Sequence, residues 1–270
     1  KSQGRRVFLD AEHFFDGYAE DNDYALAVLE RAWKAGAEVI ILCDTNGGRL
    51  PEEVASAMDA VKLRLPNAPL GIHAHNDCGC GVANSVRAVR EGAVQVQGTI
   101  NGYGERAGNA NLCTIIPILQ LKMGCELVTP EQLAGLTSLS HLVAELANMV
   151  PRDSDPFVGR DSFTHKGGMH ADAVRKMKSS YEHIDPILVG NRTHIPVSEV
   201  AGRSSMLEKA KEFGLELDRH SPVTRRILDQ VKDLESQGYE YEGADASLEL
   251  LIRRALGLHQ PFFTVDGFNT

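Results

Sequence analysis

The sequence has 270 residues, of which 43% are hydrophobic and 24% charged, and its formal net charge is -9. These proportions are typical of a globular protein with a sizeable core. The negative charge argues against a broad surface for nucleic acid, and no apolar segment approaches the ~20 residues of a membrane-spanning helix. Five cysteines, an odd number without a secretory signal, favour reduced thiols and a cytoplasmic location.

The first half of the chain alternates short apolar segments with longer amphipathic ones. Strands are predicted at 7–10, 39–44, 70–76 and 94–101, and helices at 22–36, 49–65, 81–92 and 111–124. This repetition, at about 30 residues per unit, predicts a parallel sheet with helical crossovers. Four such units fit either a small open doubly wound sheet or half of a (β/α)₈ barrel. A complete barrel takes ~250 residues, about twice the length of this region.

The second half of the chain has a different pattern. Thr129 and Gln132 form a predicted capping box that opens a helix extending to about residue 149. A polar, irregular stretch follows. Helices are then predicted near 204–214, 221–237 and 245–256, and the strand-like segment 260–270 ends the sequence.

His73 and His75 lie at the end of the third predicted strand. Because side chains alternate along a strand, both should point to one face, ~7 Å apart along the backbone. The carboxyl ends of parallel strands are also where such folds carry their active sites. The pair therefore predicts two ligands of a divalent cation. The alternative is two polar strand-end residues whose nitrogens are satisfied by neighbours.

Other polar side chains follow the same predicted strand ends. Asn109 lies on a glycine-rich loop with Glu105 and Arg106, and its carbonyl oxygen could join the same cation. Cys78 and Cys80 raise the alternative of a zinc–thiolate site, but a strand end leading into a helix cannot easily wrap such closely spaced ligands around one ion. A packed or inert pair of thiols is therefore favoured.

Carboxylates and a possible lid complete the candidates. Polar side chains also lie at the ends of the first two strands, at Asp10, Glu12, Asp44 and Thr45. One of these carboxylates could serve as a general base, or it could be merely an exposed acid. A glycine-rich segment resembling a lid carries His165, Lys166 and His170.

Several separated motifs resemble one enzyme family. The segment "HAHNDCGCGVANSVRAVREGAVQVQGTINGYGERAGNANL" closely resembles the metal-binding segment of the Claisen-type acyltransferases that include 2-isopropylmalate, homocitrate and citramalate synthases. The segments "VFLDAEHFFDGY", "LCDTNGG", "FTHKGGMHADAV" and "YEHIDPILVGNRTHIPVSEVAGRS" look most like the citramalate synthase branch. The resemblance extends from about residue 5 to about residue 262 and keeps the order of the motifs.

The resemblance implies a (β/α)₈ barrel, a helical linker region and a C-terminal regulatory domain. This sequence then corresponds to the C-terminal half of the barrel at 1–150, the linker subdomains at 151–258 and the start of the regulatory domain at 259–270. The family's N-terminal arginine–aspartate–glutamate motif, with its metal-ligating aspartate, has no counterpart here. We therefore expect the sequence to belong to a longer chain.

The resemblance also implies a role for individual residues. His73 and His75 match the family's histidine ligands of a divalent metal (Zn²⁺, Mn²⁺ or Mg²⁺), and Asn109 matches its asparagine ligand. Glu12 matches a glutamate that transfers a proton near the methyl group of acetyl-CoA. Thr45 matches a threonine that contacts the carboxylate of the 2-oxoacid.

Two further residues follow from the same comparison. His170 matches a linker histidine that reaches the active site, in the family often that of the partner subunit of a homodimer, and Glu105 is expected to orient the cluster. The implied activity is an acyl transfer that condenses acetyl-CoA with pyruvate to give (R)-citramalate for isoleucine biosynthesis. The alternatives are a 2-isopropylmalate synthase, with 2-oxoisovalerate as substrate for leucine biosynthesis, or a catalytically incompetent fragment, poorly soluble because of its unpaired sheet edges.

Overall fold

The structure is a computed structural model, and it describes residues 1, 3–165, 170, 173–174, 176–194, 203–241, 244–261, 263 and 266–267. The chain forms two compact units, Lys1–Ser162 with Ile187–Asn191, and Phe163–Pro186 with Arg192–Thr270. Within the described residues, no helix has the length and apolar character needed to cross a membrane. The domain boundaries proposed at residues 150 and 258 stay predictions.

The first unit is built on a parallel sheet. In the part of the chain that the structure describes, its strands are β1 Leu9–Ala11, β2 Ile40–Asp44, β3 Leu70–Ala74 and β4 Gln95–Gln97. Their order in the sheet is their order in the chain. An open doubly wound sheet reverses its strand order at a switch point, whereas a barrel adds each strand next to the preceding one. The observed order therefore favours the barrel.

Helices cover one face of this sheet. They are α1 Phe14–Glu20, α2 Asn22–Lys34, α3 Pro51–Arg64, α4 Gly81–Arg90 and α5 Leu112–Pro117. Ile40, Leu42 and Ile72 are fully buried against Met58 and Val61 of α3. Each such side chain stabilises the fold by about 1.5–3 kcal/mol relative to an exposed one. This core fixes which side chains the strands present on their other face.

The opposite face of the sheet, called the inner face here, carries a small apolar cluster of Val39, Ile41 and Cys43 and polar side chains beside it. Asp10 of β1, Cys43 of β2, His73 of β3 and Gln97 of β4 alternate with the residues packed on the helices. The register places Cys43 beside His73 and His73 beside Gln97. The inner face therefore gathers polar side chains from neighbouring strands.

Two predicted helices are interrupted. The helix predicted at 111–124 is α5 followed by a π-helical turn at Ile118–Lys122, because Pro117 has no N–H to continue the regular ladder. The capping box of Thr129 and Gln132 is confirmed. The helix that it opens is short, α6 Pro130–Ala134, and α7 Leu136–Leu146 follows it after Gly135.

Three longer helices of the second unit lie within the described residues. They are α8 Arg203–Glu212, α9 Pro222–Ser236 and α10 Asp245–Ala255, close to the predicted ranges. Met206, Ile227 and Leu248 are fully buried between them. The ammonium group of the buried Lys209 is paired with the Asp245 carboxylate at 3.1 Å. The strand-like segment predicted at 260–270 lies partly outside the described residues.

Candidate active site

The two histidines at the end of β3 lie side by side, as their spacing predicts. The ring centroids of His73 and His75 are 5.3 Å apart, with an angle of 46° between the rings. Nδ1 of His73 is 2.8 Å from Oε1 of Gln97. The amide nitrogen of Gln97 donates in turn to Oδ1 of Asp10 at 3.0 Å. The His73 ring is thus held on one edge, which leaves its other nitrogen for a ligand.

His75 carries a buried nitrogen that has no protein partner. Among the described residues, Nδ1 of His75 is buried and accepts or donates no hydrogen bond. Burial lowers the pKa of this imidazole, and the neighbouring His73 and Arg106 lower it further. A buried polar atom without a partner costs free energy unless a water or an ion satisfies it. The neutral ring therefore fits the lone-pair donor that a cation requires.

Asn109 is brought to the histidines by main-chain hydrogen bonds. It forms an isolated antiparallel bridge with His75. The N–H of Asn76 donates to the carbonyl of Gly108 at 2.9 Å, and the N–H of Ala110 donates to the carbonyl of Ala74 at 2.9 Å. The loop is thereby fixed against the end of β3.

The side chain of Asn109 is oriented by the same loop. Its Nδ2 donates to the carbonyl of Tyr103 at 3.4 Å. A Cβ atom at Gly104 would lie 2.0 Å from Nδ2, so any larger residue there would displace the Asn109 amide. With the amide nitrogen used in this way, the carbonyl oxygen is the atom left for a cation. Asn109 therefore fits the third ligand.

Arg106 joins the ends of three strands. Its Nε and Nη2 donate to the Asp77 carboxylate at 2.8 and 3.0 Å, and Nη2 also donates to the carbonyl of Thr45 at 2.6 Å. The hydrogen bond from Arg106 lowers the pKa of Asp77. The Glu105 side chain is 87% exposed, and its nearest charged partner among the described residues is Arg106, at 3.8 Å. The orienting role of Glu105 stays a prediction. The hydrogen bonds observed to Asp77 and Thr45 are made by Arg106.

Thr45 and Glu12 follow neighbouring strands, β2 and β1. The N–H of His13 donates to Oγ1 of Thr45 at 2.9 Å, so the Thr45 hydroxyl keeps its own proton for another acceptor. Glu12 is exposed at the end of β1. Burial raises the pKa of the nearby Cys43 thiol to about 12, and the charges of Asp10 and Glu12 contribute to the rise. Cys43 is therefore a neutral thiol.

Two other candidates do not behave as predicted. Asp44 is fully buried and accepts the N–H groups of Gly48 and Arg49 at 3.3 and 3.2 Å, so it closes a turn and is not an exposed base. Cys78 is exposed rather than packed. Within the described residues, His, Cys, Asp and Glu form no group of three or more that could hold a metal, which contradicts a closed zinc–thiolate site.

The proposed lid residues belong to the second unit. The His165 ring is buried, with Nε2 3.3 Å from the Glu182 carboxylate, which also accepts the Thr193 hydroxyl at 2.6 Å. His170 is exposed, and its ring stacks on Tyr181 with 4.3 Å between centroids. Lys166 lies outside the described residues. The lid role of His170 stays a prediction.

Neither the contact of Gln97 with His73 nor the pairing of Arg106 with Asp77 was predicted from the sequence. A signal for Gln97 was present, since it is a polar residue on a predicted strand next to the strand of the histidines. No local pattern indicates the Arg106 contact, because its partners are 29 and 61 residues away.

Residues 3–143 match the HMGL-like family, and residues 157–239 match a family described as homocitrate synthase post-HMGL domain-like. The first match covers more than half of the chain, and the chain therefore belongs to the HMGL-like family, a family of TIM barrels. The predicted fold class, α/β with a parallel barrel sheet, is confirmed.

The relatives are more specific. The chain is 56% identical to the (R)-citramalate synthase of Synechocystis sp., over 99% of the chain and 50% of the relative. It is 53% identical to the (R)-citramalate synthase of Geobacter sulfurreducens, over 99% of the chain and 51% of the relative. Identity to the 2-isopropylmalate synthase of Oceanobacillus iheyensis is 37%, over 81% of the chain and 44% of the relative. The chain spans about half the length of the curated relatives it matches.

Proposed function

We propose that this chain supplies part of the active site of an (R)-citramalate synthase, an acyltransferase that condenses acetyl-CoA with pyruvate to give (R)-citramalate and CoA. The observation that carries the proposal is the group of His73, His75 and Asn109, whose unused atoms are electron-pair donors. The higher identity to (R)-citramalate synthases than to a 2-isopropylmalate synthase supports pyruvate over a bulkier 2-oxoacid.

His73, His75 and Asn109 would hold a divalent cation. Imidazole and amide oxygen donors suit Zn²⁺, Mn²⁺ and Mg²⁺ and do not choose among them. When bound, the cation polarises the keto group of the 2-oxoacid and stabilises the negative charge that develops on its oxygen. The remaining coordination positions belong to groups other than these side chains.

Thr45 and Glu12 act on the two substrates. The Thr45 hydroxyl accepts the N–H of His13 and donates its own proton to the carboxylate of pyruvate. The exposed Glu12 carboxylate accepts a proton from the methyl group of acetyl-CoA, and the resulting carbon nucleophile attacks the keto carbon. Hydrolysis of the thioester then releases CoA. Arg106 keeps the main chain at Thr45 aligned with the end of β3.

Turnover of the gene's complete product tests this proposal. Release of CoA with pyruvate should exceed release with 2-oxoisovalerate; the opposite preference would make the protein a 2-isopropylmalate synthase. Glu12→Gln should lower kcat by about 10²–10⁴-fold, the usual contribution of a positioned acid–base group, and leave divalent-cation affinity unchanged. Loss of cation binding in this variant would refute the role of Glu12. The 270-residue chain alone should be inactive if the remaining ligands lie elsewhere.

A homodimer with His170 acting across subunits is also part of the proposal. The exposed position of the His170 ring on Tyr181 supports a role at a surface. Subunits with Glu12→Gln and subunits with His170→Ala, each inactive alone, should regain activity when mixed. If subunits exchange randomly, about one site in four is intact. Action within one subunit predicts no recovery.

A further inference from the structure

We infer that Gln97 is a positioning residue of the proposed metal site. The Asp10 carboxylate orients the Gln97 amide, and the amide oxygen holds the proton of His73 on Nδ1. Nε2 of His73 is then the nitrogen that faces the cation. The inference rests on the proposed function, because His73 is a ligand there. It adds two residues, Gln97 and Asp10, that touch neither the cation nor a substrate.

The three side chains form a continuous hydrogen-bonded chain across the inner face. Gln97 stands beside His73 in the register of β3 and β4, and Oε1 of Gln97 is 2.8 Å from Nδ1 of His73. Nε2 of Gln97 is 3.0 Å from Oδ1 of Asp10 on β1. Both separations are normal for hydrogen bonds. The residues come from three strands and share one face.

The Asp10 carboxylate determines which atom donates and which accepts in each of these hydrogen bonds. A carboxylate can only accept hydrogen bonds, so the amide NH₂ of Gln97 must face Asp10. The carbonyl oxygen of Gln97 must then face His73, and a carbonyl oxygen also only accepts. Nδ1 of His73 must therefore carry the proton. A neutral imidazole has one N–H, so Nε2 of His73 is left with its lone pair.

The reversed chain is unfavourable at the Asp10 end. A flipped Gln97 amide would place its carbonyl oxygen against the Asp10 carboxylate and its NH₂ against His73, which would then have to carry its proton on Nε2. Two acceptors would oppose each other, and the lone pair of His73 would point away from the proposed ligand position. Asp10 thus selects the binding tautomer of His73 from two strands away. Partners of this kind fix ligand tautomers in metal sites.

Cation affinity and imidazole tautomer test the inference in the gene's complete product. Zn²⁺ and Co²⁺ affinities are measured by titration, and the His73 tautomer is measured in the metal-free protein by ¹⁵N NMR. Gln97→Leu removes the acceptor and should weaken cation binding by about 10–100-fold while mixing the two tautomers. Gln95→Leu makes the same change on the same face of β4, outside the hydrogen-bonded chain, and should change neither reading.

The sharpest comparison is Asp10→Ala in two backgrounds. With Gln97 present, losing Asp10 frees the amide to flip, so binding weakens and the tautomers mix. Gln97→Glu offers His73 an acceptor whichever way its side chain turns, although its second oxygen then opposes the Asp10 carboxylate that Gln97 contacts at 3.0 Å. In the Gln97→Glu background, Asp10→Ala removes this like-charge contact, so it should leave the cation affinity unchanged or raise it, whereas it lowers the affinity when Gln97 is present. A general loss of negative charge would weaken both backgrounds equally.

Three results would overturn the inference: an unchanged His73 tautomer in Gln97→Leu, an unchanged cation affinity in that variant, or an equal effect of Asp10→Ala in both backgrounds. Circular dichroism and thermal melting of each variant exclude misfolding as the cause of a loss. A wild-type protein that binds neither Zn²⁺ nor Co²⁺ would instead refute the proposed ligand set. The tautomer measurement needs no metal and would still decide the role of Gln97.

Discussion

Gly47→Ala should destabilise the first unit because the new methyl group has no space. Gly47 has a φ of +65°, and a Cβ there would lie 2.3 Å from Oδ2 of Asp77 and 2.8 Å from its backbone nitrogen. A left-handed backbone costs a non-glycine residue about 1–2 kcal/mol, and overpacking costs about 1–3 kcal/mol. The free energy of unfolding should therefore fall by about 2–5 kcal/mol.

The same substitution should also affect the site. The Asp77 carboxylate has to move away from Gly47, and its paired hydrogen bonds with Arg106 are lost or distorted. The hydrogen bond from Arg106 to the Thr45 carbonyl is then weakened. Because Thr45 is proposed to bind the 2-oxoacid, the KM for that substrate should rise more than kcat falls.

Gly48→Ala provides the matched control. No atom lies within 4 Å of a Cβ at Gly48, and its φ is not in the left-handed region. Thermal and urea unfolding of both variants give the comparison; at about 2–4 °C per kcal/mol for a unit of this size, Gly47→Ala should melt well below Gly48→Ala. Melting points within 1–2 °C of each other would refute the reasoning about steric space.

Three more predictions concern single residues of the first unit. Iodoacetamide at pH 8 should label the exposed Cys78 and leave the buried Cys43, whose pKa is raised to about 12, unlabelled until unfolding; peptide mapping that finds both labelled equally would contradict this. Burial lowers the pKa of His75, so the unfolded state takes up its proton first and the metal-free protein loses stability as the pH falls below about 6.5. His75→Ala should flatten that pH dependence of the urea midpoint. Thr45→Val should raise the KM for pyruvate roughly 10–100-fold, the value of a hydrogen bond to a charged group, and Thr45→Ser should restore it.

Regular periodicity made most of the fold predictable. The strands at Ile40–Asp44 and Leu70–Ala74 are mostly apolar and buried, and α3 Pro51–Arg64 lies within the range predicted at 49–65. The short helix Phe14–Glu20 was missed. It follows β1 after His13, which adopts a left-handed φ of 55°, and its seven residues give too little periodicity to recognise.

The candidate site was predictable only where local spacing carries the information. The spacing of His73 and His75 indicated a shared face, and the rings lie together. The arrangement of Asp10 and Gln97 depends on strands brought together over 87 residues, which no short motif encodes. Asp44 was misjudged because strand-end position does not reveal face: the alternation from buried Leu42 turns its carboxylate towards the helices.

The main-chain bridge between His75 and Asn109 positions residue 109 beside the histidines, whichever side chain that residue carries. Main-chain atoms dock this loop against β3, and such bonds persist when a side chain is exchanged. Replacing Asn109 by aspartate would thus alter the charge and hardness of one donor without moving its Cα position. A single substitution at position 109 would therefore change the donor set while the loop and the strand end keep their positions.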